Sequence, residues 1–416
     1  MRALAICDGE HYPPVVRDAL AALPYDVVGL WLAGGSEKLR GGEDYGVPVV
    51  DSLEAAVAEL EPALVLDLSD EPVLGPRDRF RVASRVLALG VPYVGTDFRF
   101  DPPALAPFPR PALSVVGTGK RVGKTAVTGH VARLLARDRD VVVVAMGRGG
   151  PPDPEVAKVR PTLEALVELS RSGRHAASDY LETAALAGVV TIGCRRCGGG
   201  FAGSPGESNV LAGAALAADR EPDLVVFDGS GAAIPPVETD ARILVTSTAQ
   251  REVATEYLNA YRILVSDLVV VTGGLDEALV EAIHDVKDVP VVPVELRPRP
   301  VTPVIRKSVA YFSTAPAAAH PVIERYLREE LGAEVVLVSG NLAHREALRE
   351  ELARVEAEVY LVEIKAAAID VVAEAALERG VEVVFADNEL VPAGLLDLDT
   401  ELIRLADQAI AREAVA

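Results

Sequence analysis

The sequence predicts an α/β protein of three domains, and three observations lead to this fold class. Apolar runs of strand length alternate with helical patterns along all 416 residues. A glycine-spaced loop that contains lysine and threonine follows one such run, at residues 112–125. A proline-rich passage at 101–111 separates this central region from the N-terminal one. We therefore expect domains at 1–105, 106–300 and 301–416.

The first domain has the pattern of a Rossmann-like, doubly wound parallel sheet. Its apolar runs extend from ALAICDG to VPYVGTD, with helical patterns such as Ser52–Leu60 and Arg77–Leu89 between them. Ligands of such sheets bind beyond the carboxyl ends of the strands. The end that reads DGEHY, at 8–12, is the best candidate because it crowds polar and aromatic groups into one turn. His11 alone is more typical of a loop residue than of a catalytic base.

Composition limits the kinds of partner. The formal net charge of −21 argues against nucleic acid or an anionic membrane as a general partner. No apolar run approaches the ~20 residues that span a bilayer, and the N-terminus has the pattern of a strand, not of a signal peptide. Three cysteines do not form a disulfide framework, so we expect a cytoplasmic protein. Cys194 and Cys197 have zinc-knuckle spacing without a second pair, which argues against structural zinc.

The central loop is predicted to bind phosphate. Its glycines let successive backbone N–H groups turn towards one anion, and the following helix N-terminus adds positive potential. The standard spacing would put glycine at 118, where this chain has threonine, so the loop is a variant. The predicted nucleotide-binding residues are Gly117, Thr118, Gly119, Lys120, Arg121, Val122, Gly123, Lys124, Thr125 and Ala126.

An acidic residue follows a later buried strand of the same domain. Asp228 closes the strand Leu224–Phe227, and in proteins with such a loop a carboxylate here holds Mg²⁺ opposite the loop threonine, Thr125. An aspartate that bonds to its own turn is the alternative interpretation.

A basic segment stands out in this acidic chain. Residues 117–200 contain thirteen Lys and Arg against eight Asp and Glu, a local net of +5. Arg148 leaves a strand tip beside flexible glycines, and Arg195-Arg196 run into three more glycines. Arginine beside pliable backbone suits a phosphorylated ligand, so the segment predicts one strongly anionic substrate. A run of solvated surface charges is the other interpretation.

Residues 301–416 are predicted to form a smaller α/β unit. Lys365 follows one of its strands and is either a ligand contact or a solvated lysine at a helix start. Its expected strands are Val309–Ser313, Ala333–Val338, Val359–Glu363 and Val381–Ala386, and its expected helices are His320–Glu330, His344–Val355 and Ala367–Arg379.

Several motifs resemble known families. The loop GTGKRVGKT, the segment LVVFDGSGAAIPP and the Ser178-Asp179 turn are similar to dethiobiotin synthetase, in that family's order. DGEHYPP, GTGKRVGKT, AMGRGGPPDPE, ASDYLE, GCRRCGGG and EIKAAAID together resemble the cyclic 2,3-diphosphoglycerate synthetase family over nearly the whole chain.

This resemblance implies a reaction and a set of site residues. The reaction would be ATP-dependent and Mg²⁺-requiring closure of a phosphoanhydride within 2,3-diphosphoglycerate, in a homodimer. Lys124 would hold the β- and γ-phosphates, and Thr125, Asp179 and Asp228 would bind Mg²⁺. The predicted catalytic residues are Lys120, Arg121, Lys124 and Arg148, and the predicted substrate-binding residues are Arg148, Lys158, His175, Arg195 and Arg196.

Two other classes of function fit a phosphate-binding loop. One is a kinase or ligase of the same fold that acts on another anionic metabolite. The other is a nucleotide switch, an ATPase or GTPase that binds a protein partner. A switch has no need of a basic segment with arginines at strand tips.

Overall fold

The structure is a computed structural model and describes residues 1–157, 162–173, 178–364 and 368–413. It is the mixed α/β protein that the sequence predicts, with two sheets dominated by parallel strands. Among these residues, no helix combines the length and the apolar character that a membrane crossing requires.

The N-terminal sheet has the order β3-β2-β1-β4-β5-β6, and its strands are parallel except for the last pair. Its central strand is buried along almost all of its length. The elements are β1 (Arg2–Cys7), α1 (Pro13–Ala22), β2 (Asp26–Leu32), β3 (Val49–Val50), α2 (Leu53–Leu60), β4 (Leu64–Asp67), α3 (Pro76–Ala88), β5 (Tyr93–Val94) and β6 (Arg99–Phe100).

The central region contributes the strands around the phosphate-binding loop. Each of its inner strands is a run of buried β-branched and other apolar residues, as parallel strands covered on both faces require. The elements are β7 (Ala112–Gly117), α4 (Lys124–Leu135), β8 (Val141–Gly147), β9 (Glu155–Ala157), α5 (Leu163–Arg171), α6 (Asp179–Ala187), β10 (Val190–Cys197), β11 (Glu207–Ser208), α7 (Val210–Ala218), β12 (Leu224–Asp228), β13 (Ala241–Ser247), α8 (Asn259–Leu264), β14 (Leu268–Thr272), α9 (Glu277–His284) and β15 (Val291–Pro300).

The C-terminal region adds further strands to the same sheet. A π-helical turn at Ala368–Ala373 precedes one of its helices. The elements are β16 (Ser308–Phe312), α10 (His320–Glu329), β17 (Glu334–Ser339), α11 (Arg345–Arg354), β18 (Val359–Glu363), α12 (Glu374–Arg379), β19 (Glu382–Pro392) and α13 (Leu398–Glu413).

One ladder joins the central and C-terminal regions. β15 pairs antiparallel with β19 from Val294↔Pro392 to Pro300↔Ala386, so the sheet order is β11-β10-β8-β12-β7-β13-β14-β15-β19-β18-β16-β17. β19 is longer than the predicted strand 381–386, and this extra length forms the ladder. The division into three domains stays a prediction, and the sheet continues across its second boundary.

The last helix covers the central sheet, and the sequence did not predict it. Leu402 and Leu405 of α13 pack in one cluster with Leu113 and Val115 of β7 and with Val131 of α4. The C-terminal segment thus helps to hold the helix that follows the phosphate-binding loop. His130 of α4 also bonds Asp399 of α13, with 2.6 Å between the imidazole Nε2 and the carboxylate.

The N-terminal unit packs against the loop regions that follow β10 and β13. Phe80 of α3 makes ring contacts with Phe201 and Tyr257, and Arg77 forms an ion pair with Glu256 at 2.7 Å. Val116 and Leu244 of the large sheet share a core cluster with residues of the small one. Aromatic and apolar contacts therefore fix the small sheet beside the large one.

The substitution Leu402→Ala is expected to lower the free energy of unfolding by about 2–5 kcal/mol, because it leaves a cavity where a fully buried leucine packs on the central sheet. Denaturant unfolding measures the effect. The matched control is Ile403→Ala on the same helix, at a side chain that is 38% exposed, with an expected loss below about 1 kcal/mol. Equal losses for the two variants would contradict the packing of α13.

Candidate functional site

The phosphate-binding loop lies between a central strand and a helix. β7 pairs with β12 on one side and β13 on the other, and α4 begins at Lys124. Gly123 has a φ of +82° at the turn into the helix, a region that favours glycine. Thr118, at the shifted glycine position, is not one of the described residues with a positive φ, and its hydroxyl bonds Thr246 at 3.0 Å. The variant spacing therefore leaves the backbone of the loop unstrained at this residue.

Asp228 is the buried centre of the site. It ends β12, beside β7, and its Oδ1 accepts hydrogen bonds from Lys124 Nζ at 2.5 Å and from Thr128 Oγ1 at 2.7 Å. Burial raises the pKa of Asp228, the Lys124 charge opposes this rise, and the Asp179 carboxylate adds to it. A cation bound here would offset both the burial of the ionised Asp228 carboxylate and its repulsion by Asp179.

The residues at this point fit a Mg²⁺ ion. The second oxygen of Asp228, Oδ2, is buried and has no hydrogen-bond partner among the described residues. Asp179 is the first residue of α6 and lies close enough to act electrostatically on Asp228. Thr125, in the first turn of α4, offers a hydroxyl. Two carboxylates and a hydroxyl are the hard oxygen donors that Mg²⁺ takes.

Three basic side chains meet beside the loop, around Gly231. A Cβ atom on Gly231 would lie 3.5 Å from Nη2 of Arg148 and 3.8 Å from Nη2 of Arg196. It would also lie 3.9 Å from Cγ of Lys120, in the loop itself. The backbone N–H of Gly117 donates to the carbonyl of Gly231 at 3.2 Å. We call Lys120, Arg148 and Arg196 the basic triad.

The two arginines of the basic triad lack an acidic partner in the described ranges of the chain. In the described part of the chain, no carboxylate lies within ion-pair distance of Arg148 or Arg196. Burial and then the Arg148 charge lower the pKa of Arg196, while Asp179 acts in the opposite direction. Arg196 donates to the carbonyls of Ser230, at 2.7 Å, and Gly198, and its buried Nε has no hydrogen-bond partner among the residues that the structure describes. The two guanidinium groups are therefore arranged to receive an anion.

The structure does not place the other predicted substrate and catalytic residues in the basic triad. Arg195 precedes Arg196 on β10, so strand alternation directs the two side chains to opposite faces, and the side chain of Arg195 is exposed. Arg121 is exposed, with a left-handed φ of +61°. Lys158 and His175 lie outside the described residues, as does Lys365. Of the predicted arginines, the structure thus brings Arg148 and Arg196 together beside the loop.

Two residues that support the site were not predicted. Gln250, after β13, donates from Nε2 to the carbonyl of Lys120 at 2.6 Å, and its Oε1 would lie 3.0 Å from a Cβ on Gly119. It therefore holds the turn from which the Lys120 side chain extends. No local pattern distinguishes it from any other polar loop residue.

The second unpredicted residue is Arg262, which bonds two loops beside the site. This buried arginine of α8 donates to the carbonyl of Ala232, from Nη2 at 2.7 Å, and to that of Phe201 at 3.0 Å. Burial lowers its pKa to about 10, so it stays charged at neutral pH. It joins the loop that carries Gly231 to the loop that follows β10. The one sequence signal was a lone arginine in the apolar run NAYRILV.

Comparisons with known proteins show which family the chain resembles. Three family models match the chain: the N-terminal domain of cyclic 2,3-diphosphoglycerate synthetase at residues 2–101, its P-loop domain at 112–293 and its C-terminal domain at 300–389. Among solved structures, LpxK from Aquifex aeolicus in complex with ATP matches 74% of this chain and 90% of its own, with 15% identity and a TM-score of 0.46.

Curated relatives carry the same family name. The cyclic 2,3-diphosphoglycerate synthetase of Rubrobacter xylanophilus is 50% identical, with 98% of each chain covered. That of Thermococcus kodakarensis is 43% identical, with both chains covered completely. The similarity extends over all three matched regions, and the chain therefore belongs to the cyclic 2,3-diphosphoglycerate synthetase family.

Proposed function

We propose that this enzyme uses ATP to close a phosphoanhydride between the two phosphates of 2,3-diphosphoglycerate. The products are cyclic 2,3-diphosphoglycerate, ADP and phosphate. The observation that carries the proposal is the basic triad, since it combines a residue of the phosphate-binding loop with two arginines from strand ends. Such a group can hold the nucleotide phosphates and a second, doubly phosphorylated ligand side by side.

The proposed reaction has two steps, a phosphoryl transfer and a ring closure. An oxygen of one substrate phosphate attacks the γ-phosphorus of ATP, and the bond to the β-phosphate oxygen breaks to release ADP. An oxygen of the other substrate phosphate then attacks the phosphorus of the substrate phosphate that received the γ-phosphoryl group. The bond between that phosphorus and the bridging oxygen breaks, and the transferred group leaves as inorganic phosphate. Phosphate oxygens are anionic at neutral pH, so neither step needs a general base.

The catalytic contribution of the protein is then positioning and charge neutralisation. Lys124 and the N–H groups of residues 119–125 would bind the β- and γ-phosphates. Lys120 would neutralise the phosphoryl group in transfer, and Arg148 and Arg196 would bring the two substrate phosphates together against their repulsion. Arg121, Arg195, Lys158 and His175 remain proposed contacts of the reacting groups.

Thr125, Asp179 and Asp228 would hold the Mg²⁺ ion. The buried, unpartnered Oδ2 of Asp228 supports this role. A bound Mg²⁺ would draw charge from the β- and γ-phosphate oxygens. We also propose that the enzyme is a cytoplasmic homodimer.

The reaction itself is tested by ³¹P NMR of the enzyme with Mg-ATP and 2,3-diphosphoglycerate. We expect a cyclic pyrophosphate signal, with one ADP and one phosphate released for each cyclic product. ADP release with other phosphorylated acids, without the cyclic signal, would indicate a kinase or ligase with a different acceptor. Slow hydrolysis that needs no acceptor would indicate a nucleotide switch.

The substitution Arg148→Gln is expected to raise the KM for 2,3-diphosphoglycerate by about 10- to 100-fold, because a hydrogen bond to a charged group contributes about 1.5–3 kcal/mol. The KM for ATP should change by less than about threefold. Arg196→Gln should act in the same direction, and it also removes the bonds to Ser230 and Gly198. Steady-state kinetics with each substrate varied separately measure both constants.

The control for these variants is Arg220→Gln, at an exposed arginine just after α7, where neither KM should change. Lys124→Ala should abolish turnover with any substrate concentration. An equal rise in the KM for ATP and for 2,3-diphosphoglycerate in Arg148→Gln would contradict the assignment of Arg148. Arg195→Gln in the same assay decides whether Arg195 also contacts the substrate.

A further inference from the structure

A second cluster of functional side chains lies in the N-terminal unit, at the carboxyl end of β1. The Cys7 sulfur, a carboxylate oxygen of Asp8 and a ring nitrogen of His11 all lie within 4.8 Å of one another. None of these residues takes part in the proposed reaction. The carboxyl ends of strands in a doubly wound sheet are also where such sheets bind ligands.

Backbone donors hold the Asp8 carboxylate in place. Its Oδ1 accepts from the N–H of Glu10 at 3.1 Å, and its Oδ2 accepts from the N–H of Asp70 at 2.9 Å. The imidazole Nδ1 of His11 lies 2.8 Å from Oδ1, and its Nε2 lies 3.4 Å from the carboxylate of Asp70. The side chains of Asp8 and His11 are therefore oriented before any ligand binds.

A buried hydroxyl beside Cys7 lacks a partner. Tyr45 is 3% exposed and packs in the same core cluster as Cys7. Its hydroxyl oxygen has no hydrogen-bond partner among the described residues. Burial is the main cause that raises the pKa of Tyr45, and the Glu43 and Cys7 charges add to it. An unpaired polar group is unusual in a core, and this one packs near Cys7.

The charges around the cluster are negative. The carboxylates of Asp8, Asp70 and Asp67 act on the Cys7 thiol, and those of Asp8 and Asp70 also contact His11. Asp67 is matched by Arg79, whose Nε lies 2.7 Å from its carboxylate. Within the described part of the chain, the basic group that contacts Asp8 and Asp70 is the imidazole of His11. The environment therefore disfavours an anionic ligand and favours a cation.

We propose that Cys7, Asp8 and His11 bind a divalent cation of the zinc class. A sulfur, a nitrogen and an oxygen donor suit Zn²⁺, whereas Mg²⁺ and Ca²⁺ take oxygen donors alone. The cation replaces the proton of the Cys7 thiol, which is released to solvent. His11 is 34% exposed, so water can reach the cation and complete its coordination.

The consequence of binding is structural. Cys7 ends β1, Asp8 directly follows it, and His11 stands two residues before α1, which begins at Pro13. One cation thus joins the tip of a central strand to the start of the helix that follows it. Binding to the folded state alone raises the stability of the N-terminal unit.

The test uses the full chain, first treated with a chelator and then titrated with Co²⁺ and, separately, Zn²⁺. We expect about one equivalent of metal to bind per chain, with the near-ultraviolet absorption of a thiolate–Co²⁺ bond. The substitution His11→Gln should weaken binding by at least about tenfold. Cys7→Ser should abolish the thiolate absorption. Zn²⁺ should raise the thermal midpoint of the chelated wild-type protein, and at the same Zn²⁺ concentration it should raise that of His11→Gln by less.

Two controls lie outside the cluster. Cys197→Ser and His344→Gln change an exposed cysteine and an exposed histidine and should bind both metals like the wild type. If Cys7→Ser does not fold, the metal affinity of His11→Gln tests the proposal instead, because replacing a partly exposed side chain should leave the fold intact. Failure of the wild type to bind either metal, or equal binding by the wild type and His11→Gln, would overturn the proposal. The result is independent of the cyclase assay, which uses other residues.

Discussion

The close contact between Gly117 and Gly231 is the constraint on which the candidate site depends. A Cβ on Gly117 would lie 2.8 Å from the carbonyl oxygen of Gly231, which instead accepts the N–H of Gly117. Only a residue without a side chain permits this approach of two backbones. It brings the loop after β12 against the phosphate-binding loop, so the arginines that surround Gly231 come to lie beside Lys120.

Two arginines hold the loop after β12 from its other side, by joining it to the loop after β10. Arg196 bonds the carbonyls of Ser230 and Gly198, and Arg262 bonds those of Ala232 and Phe201. Ser230 and Ala232 belong to the loop after β12, and Gly198 and Phe201 belong to the glycine-rich loop after β10. Because the Phe201 ring also packs against α3, the position of this loop depends on the N-terminal unit as well.

The sequence predicted the features that have local signals. Alternating apolar runs gave the fold class, and the loop and Asp228 stand out by spacing alone. The β15–β19 ladder was not predicted, because Pro298 and Pro300 resemble the end of a domain. In the structure, both prolines lie beyond Val294, the last residue of β15 that pairs with β14. From there on β15 pairs with β19 alone, so no strand on its other side requires the N–H groups that the prolines lack. Gln250 and Arg262 act on residues far away in sequence, so no local pattern reveals them.

The charge balance of the molecule supports the assignment of the basic triad. Other partly buried arginines are matched by a carboxylate, as when Arg133 and Arg299 both donate to Asp387. Arg148 and Arg196 instead lie beside each other without such a partner among the described residues, an arrangement that costs free energy until an anion binds. A ligand with two phosphates removes this repulsion more fully than a monoanion. A protein of net charge −21 can therefore still attract a polyanion, because the favourable field is confined to the basic triad.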